Sequence, residues 1–156
     1  MAQDDSTLAP DFELANQFGE RVRLSSFRGV KPVVLVFYPL AFSGTCTTEL
    51  CELRDNLSLF KDAGVELLGI SVDSKATLRA WAEHESYDFS LLADFWPHGA
   101  VAAQYGVFNA EKGIANRGTF VIGVDGVIHS RFNSGPSEVR ALEKYRAAIA
   151  EVTSVL

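Results

Sequence analysis

Cys46 and Cys51 are the only cysteines in this chain of 156 residues. They lie in the segment Pro39-Leu40-Ala41-Phe42-Ser43-Gly44-Thr45-Cys46-Thr47-Thr48-Glu49-Leu50-Cys51. A thiolate attacks electrophiles, binds metals and is oxidised reversibly. A close pair of thiols therefore offers a nucleophile with a partner, part of a metal site, or packing alone. The segment follows an apolar run and opens a predicted helix over Thr47 to Ala63, stopped by Gly64. With Cys46 as zero on a wheel of about 100° per residue, Leu50, Leu53, Leu57 and Phe60 fall within about 40° of it. They form a core-facing stripe with Cys46 at its N-terminal end. Cys51 falls about 140° away, beside Asp55, Ser58 and Asp62. The spacing thus predicts Cys46 in the first turn, against the core and near the positive end of the helix dipole. It predicts Cys51 on or near the surface. A helix N-terminus and a nearby cation favour the thiolate, which makes Cys46 the candidate nucleophile and Cys51 its candidate partner. The plainer alternative for Cys46 is a small buried hydrophobe. A metal site lacks a second cysteine pair, and His84, His98 and His129 stand in no ligand spacing.

The elements that must hold these residues follow from apolar patterning. Phe12 to Leu14 and Arg21 to Leu24 read as an N-terminal hairpin around Asn16 to Gly19. Val33 to Tyr38 is a continuous apolar, β-branched run, hence a buried central strand. Val65 to Val72 is a second buried strand. Ser74 caps a predicted helix to about Glu85. Ser90 to Ala93 reads as a short strand and Gly99 to Tyr105 as a short helix. Thr119 to Ile122 and Val127 to Phe132 flank Asp125-Gly126, a hairpin signal. Ser137 opens a final predicted helix to about Val152. This order predicts a thioredoxin-like α/β fold, a central mixed β-sheet flanked by helices, and also fits other small mixed-sheet folds. Length and the absence of linkers or repeats predict a single domain over residues 1–156. Net charge of −6 argues against nucleic acid as a partner. The acidic, polar start and the short apolar runs predict no secretory signal and no membrane span, hence a cytoplasmic protein. In that compartment two close cysteines point to catalysis or metal binding rather than to a structural bridge.

Pro39, Ser43 and Cys46 match P-x-x-x-(T/S)-x-x-C, and the chain resembles the peroxiredoxins in that motif. Arg117, in Asn116-Arg117-Gly118-Thr119-Phe120, is similar to that family's active-site arginine. FYPLAFSGTC, ADFWPHGAVAAQYGVFN and GIANRGTFVI are similar to the actinobacterial alkyl hydroperoxidase E group. The Cys-x4-Cys spacing resembles instead the bacterioferritin-comigratory (PrxQ) group. The E-type enzymes compared carry no cysteine at the position of Cys51, so the chain mixes features of two subgroups.

The resemblance implies a thiol-dependent peroxidase, acting on hydrogen peroxide or organic hydroperoxides with no cofactor and no metal. The Cys46 thiolate would attack the terminal peroxide oxygen, giving an alcohol or water and a sulfenic acid. A thiol of pKa about 8.5 gains only about 10–30-fold from full ionisation near neutrality, so alignment of the O–O bond and stabilisation of the leaving oxygen must supply more. Arg117 would donate to the thiolate and the peroxide. Ser43 would hydrogen-bond the peroxide, with backbone N–H groups of Thr45 and Cys46 as further donors. Pro39 would shield the sulfur, and Glu49 would orient Arg117. Each also has a plain alternative: a strand end at Pro39, a helix cap at Ser43, a first-turn charge at Glu49, a surface ion pair for Arg117. Trp81 reads as packing. Five positions apart on an intact helix, the Cys46 and Cys51 Cα atoms lie about 8.6 Å apart, and a disulfide needs less than about 7 Å. Resolution of the sulfenic acid by Cys51 therefore requires the first turns to unwind. The alternative is a one-cysteine enzyme reduced directly by a small thiol or a glutaredoxin-like protein. The resemblance implies a thiol reductant in either case: thioredoxin, a mycoredoxin or glutaredoxin-like protein, or a low-molecular-weight thiol. Two further readings are a non-catalytic redox switch and a disulfide reductase, the latter lacking Cys-x-x-Cys. By resemblance the segment from Asp94 to Tyr105 is an interface and the protein a homodimer.

Overall fold

A computed structural model of the chain describes residues 7–135, 138 and 140–153. In chain order the elements are β1 (Thr7–Leu8), β2 (Glu13–Ala15), β3 (Arg21–Arg23), β4 (Val33–Phe37), α1 (Gly44–Asp55), α2 (Leu57–Asp62), β5 (Glu66–Ser71), α3 (Lys75–Glu85) and β6 (Ser90–Ala93). Then come α4 (Ala100–Gln104), β7 (Phe108–Asn109), β8 (Ile114–Ala115), β9 (Arg117–Ile122), β10 (Val127–Ser134) and α5 (Leu142–Thr153). Six strands form one mixed sheet in the order β1-β10-β9-β4-β5-β6. β4 runs parallel to β5 and antiparallel to β9, which places it centrally.

The sequence Val33-Val34-Leu35-Val36-Phe37 is apolar throughout because both faces of β4 are covered. Strand alternation then sorts the side chains. Val34, Val36 and Tyr38 join a core with Cys46, Leu50, Leu53, Trp81 and Tyr145, so α1, α3 and α5 cover that face. Val33, Leu35 and Phe37 join a second core with Phe12, Tyr105 and Phe120, under α4 and the β2–β3 hairpin. Ser74 caps α3 by accepting from the Thr77 N–H at 3.2 Å. Gly126, at φ +80°, makes the tight β9–β10 turn.

Four details depart from the sequence reading. The helix expected over Thr47 to Ala63 starts earlier, at Gly44, and is split into α1 and α2 at Asn56. The Asn56 side chain donates to the Glu52 carbonyl at 2.8 Å, and such local bonding competes with the helical ladder. β1 escapes notice because it is two exposed residues, ordered by pairing with β10. The small β7–β8 ribbon was likewise not expected. Finally, α5 begins at Leu142 after a non-helical Arg140 and Ala141, and the start expected at Ser137 lies outside the described residues. The Arg140 N–H is donated to the Glu49 carboxylate at 2.7 Å, so the backbone there is committed to another contact. Among the described residues no helix is long and apolar enough to cross a membrane.

Candidate active site

Three elements converge on the Cys46 sulfur. β4 ends at Phe37, and the loop from Pro39 to Ser43 carries the chain up into α1. This loop is anchored by the Ala41 N–H, which donates to Asp73 Oδ2 at 2.8 Å. Ser71 Oγ donates to the same oxygen at 2.7 Å, fixing the carboxylate. Phe42 takes a left-handed backbone, φ 67°, which costs a non-glycine residue about 1–2 kcal/mol. Its ring packs on Trp81 at 6.1 Å. Cys46 follows in the first turn of α1, fully buried. Its position at the end of the stripe with Leu50 and Leu53 is as the helical wheel predicts.

β9, next to β4 in the sheet, starts with Arg117. Nη2 of Arg117 donates to Cys46 Sγ at 2.9 Å, and Nη1 donates to Glu49 Oε1 at 3.1 Å. Glu49, one turn beyond Cys46, is 1 % exposed, and Arg117 is 2 % exposed. A second guanidinium completes the group. Arg140 donates from Nε to Glu49 Oε2 at 2.7 Å and from Nη2 to Glu49 Oε1 at 2.6 Å. It also reaches Thr119 Oγ1 at 2.9 Å and the Phe37 carbonyl at 2.8 Å. Burial opposes the charge on Arg140, but Tyr145 and Glu49 more than offset this and hold it above the ordinary arginine value. With the sulfur as thiolate, two cations face two anions, which is how a buried charge cluster avoids an unpaired member.

Sequence reasoning missed Arg140. It sits 91 positions from Glu49 in an irregular segment, with no periodicity to mark it. The one available signal was indirect, a carboxylate on the buried stripe side of a helix that needs compensating charge.

The other expected residues lie around this cluster. Pro39 and Arg117 line a cavity of about 530 Å³ with Asn109, Asn116, Asn133 and Glu138, so Arg117 is shared between the cavity wall and the sulfur. Ser43 occupies the N-cap position of α1, yet its side chain makes no cap bond. Its hydroxyl donates to the Leu40 carbonyl at 3.0 Å, which leaves the oxygen lone pairs for an incoming O–H. The first intrahelical bond runs from the Thr47 N–H to the Ser43 carbonyl at 2.8 Å. The N–H groups of Thr45 and Cys46 therefore belong to the first turn, which has no intrahelical acceptors. Cys51 lies near the surface, as expected. It is half-buried against the end of α3, where the Glu85 carboxylate and the Tyr87 hydroxyl meet it. Both cysteines are free thiols.

The AhpC/TSA family model matches residues 6–131. The chain belongs to the AhpC/TSA peroxiredoxins. Alkyl hydroperoxide reductase E of Mycobacterium tuberculosis is 47 % identical over 146 residues, covering 94 % of this chain and 95 % of that protein. Peroxiredoxin Bcp of Escherichia coli is 39 % identical over 132 residues, covering 81 % and 83 %. The crystal structure of peroxidoxin BcpB from Mycobacterium tuberculosis superposes with a TM-score of 0.82 at 32 % identity, covering 100 % of this chain and 99 % of that one. The fold is therefore the thioredoxin-like fold of the peroxiredoxins. As a peroxiredoxin the protein is a thiol-dependent peroxidase, an oxidoreductase that takes a peroxide as substrate and a thiol as reductant.

Proposed function

We propose that Cys46 is the peroxidatic cysteine and that hydrogen peroxide and small organic hydroperoxides are its substrates. The observation that carries this reading is the 2.9 Å hydrogen bond from Arg117 to the Cys46 sulfur inside a buried charge cluster. In the reaction the Cys46 thiolate attacks the terminal peroxide oxygen. The O–O bond breaks, the far oxygen leaves as alkoxide or hydroxide and is protonated, and Cys46 becomes a sulfenic acid. Arg117 is held by Glu49, which Arg140 fixes in turn, so its fork points at the sulfur before substrate arrives, and preorganised donors of this kind lower barriers most. Ser43 accepts from the peroxide O–H, the N–H groups of Thr45 and Cys46 donate to the oxygens, and Pro39 keeps water off the sulfur. The test is stopped-flow oxidation by limiting hydrogen peroxide. Arg117→Ala lowers the rate of Cys46 oxidation by about 100-fold or more, and an unchanged rate refutes the assignment.

Cys51 is proposed to resolve the sulfenic acid as an intrachain disulfide, with thioredoxin or a glutaredoxin-like protein as the next reductant. Support comes from its place on the same helix as Cys46, five residues on and half-buried next to an acceptor. The competing reading, direct reduction of Cys46 by a small thiol, is favoured by the greater identity to the E-type relative. Intact mass and disulfide mapping after one equivalent of peroxide separate the two, since a persisting sulfenic acid without a 46–51 bridge excludes Cys51. We further propose one domain, cytoplasmic residence, where free thiols persist, and a homodimer. Trp96 is 81 % exposed and Phe95 53 % exposed, in the segment read as an interface. A monomer mass in sedimentation equilibrium at micromolar concentration overturns the dimer.

A further inference from the structure

The Cys51 sulfur meets a second set of polar groups, distinct from those around Cys46. Sγ lies 3.3 Å from Oε1 of Glu85 and 3.5 Å from the hydroxyl of Tyr87, both at the C-terminal end of α3. Arg54, nearly one turn further along α1, donates to the main-chain carbonyl of Glu85 at 2.6 Å. The second half of α1 is thus pinned to this corner. The first turn is not: Ser43 makes no side-chain cap, no acidic residue complements the dipole, and the turn is built from Gly44, Thr45, Cys46 and Thr47. On the proposed resolution by Cys51, Cys46 would travel to Cys51 as the first turn opens, and the bond would form beside Glu85.

We propose that Glu85 is a further catalytic residue, the base that takes the proton of Cys51 while Cys51 attacks the sulfenic acid on Cys46. This rests on the reading of Cys51 as the resolving thiol. The attacking species must be a thiolate. Burial pushes the Cys51 thiol up, the Tyr87 hydrogen bond relieves this in part, and the Glu85 charge adds to it. Few Cys51 thiols therefore ionise unaided near neutral pH, and the proton needs an acceptor in contact. A carboxylate only accepts, so the S–H points at Glu85. The Glu85 side chain is 21 % exposed, enough to exchange its proton with water. Burial also pushes the Tyr87 phenol up, so its hydroxyl stays protonated and donates to the sulfur as negative charge develops.

The step balances without another reagent. Cys51–SH and Cys46–SOH give the Cys46–Cys51 disulfide and one water. The S–S bond forms as the S–O bond of the sulfenic acid breaks. The Cys46 sulfur is reduced and the Cys51 sulfur oxidised. The proton moves from Cys51 to Glu85 and then to the departing hydroxide.

The experiment compares wild type with Glu85→Gln after one equivalent of hydrogen peroxide, quenched by alkylation and read by mass. Gln keeps the side-chain size and the Arg54 hydrogen bond to the main-chain carbonyl, and loses only the charge of the 3.7 Å pair between Arg54 Nη1 and Glu85 Oε1. Cys51, Arg54, His84 and Tyr87 are the charged or titratable groups facing Glu85, and all four are retained. Formation of the sulfenic acid is unchanged, which also reports an intact fold. Formation of the 46–51 disulfide at pH 7 slows by about tenfold or more, within the usual reach of a general base. The deficit closes as pH rises toward the ionisation of the thiol itself. In Glu85→Ala, added acetate restores part of the rate. Equal or faster disulfide formation in Glu85→Gln overturns the proposal and makes Glu85 a brake that keeps Cys51 protonated. If wild type forms no 46–51 disulfide, the resolving role of Cys51 fails first and the proposal falls with it.

Discussion

Glu49 accepts hydrogen bonds from Arg117, from the Arg140 side chain and from the Arg140 backbone N–H, all out of reach of water. Its two oxygens fix the angle at which Arg117 meets the sulfur. Removing one partner of a buried ion pair leaves the other uncompensated, typically at about 3–5 kcal/mol. Arg140→Met therefore lowers stability by about that amount in urea unfolding, and it also slows Cys46 oxidation, because Arg140 holds the Glu49 carboxylate that orients Arg117. A stability loss with an unchanged oxidation rate rejects the positioning role. Cys46, Glu49 and Arg117 were legible as residues, the first two by their places in one helix and Arg117 through the family resemblance of the segment from Asn116 to Phe120. Arg140, Glu85 and Tyr87 were not. Their contacts span 91, 34 and 36 positions and join an irregular segment or a helix end to α1.

At the level of elements, α1 carries two opposed demands. Its stripe of Cys46, Leu50 and Leu53 must stay packed for the sulfur to meet Arg117, yet under the proposed resolution by Cys51 its first turn must open for Cys46 to reach that thiol. The sequence meets both by making the two halves unequal. The half beyond Glu49 is held by buried leucines and by Arg54, whereas the first turn contains Gly44 and β-branched threonines with no side-chain cap. Strain at Phe42 adds to the tendency of this stretch to open. A Cβ at Gly44 meets nothing within 4 Å, so alanine fits there. Gly44→Ala stabilises the helical form by about 0.5–1 kcal/mol, so disulfide formation slows by about two- to fivefold while sulfenic acid formation holds. Quench-flow with mass detection reads both steps, and an equal disulfide rate excludes first-turn unwinding. The α1 stripe was readable in advance from its period. The break at Asn56 was not, because it depends on one side-chain hydrogen bond to Glu52.

Across the whole molecule, burial acts on every phenol and on Cys51 in one direction. All four tyrosines, Tyr38, Tyr87, Tyr105 and Tyr145, are buried, and burial is the leading cause that pushes each above its ordinary value of 10.0. Cys51 is pushed above its ordinary 9.0, again chiefly by burial. As pH rises through these ordinary values the unfolded chain releases its protons first while the folded chain still holds them. The native state then binds more protons, so stability falls with rising pH. Denaturant midpoints should therefore decline above about pH 9, the ordinary thiol range, and Cys51→Ser should remove the earliest part of the decline. A flat profile to pH 11 contradicts this account. The sequence by itself determined the order of the longer strands and helices, the buried β4 run, the Cys46 stripe and the family resemblance, because period and short motifs are local properties of the chain. The tertiary structure alone decided that two arginines share Glu49 and that Cys51 faces Glu85 and Tyr87. Those meetings depend on strand order and helix packing, which bring residues tens of positions apart into contact and leave no period in the sequence to announce it.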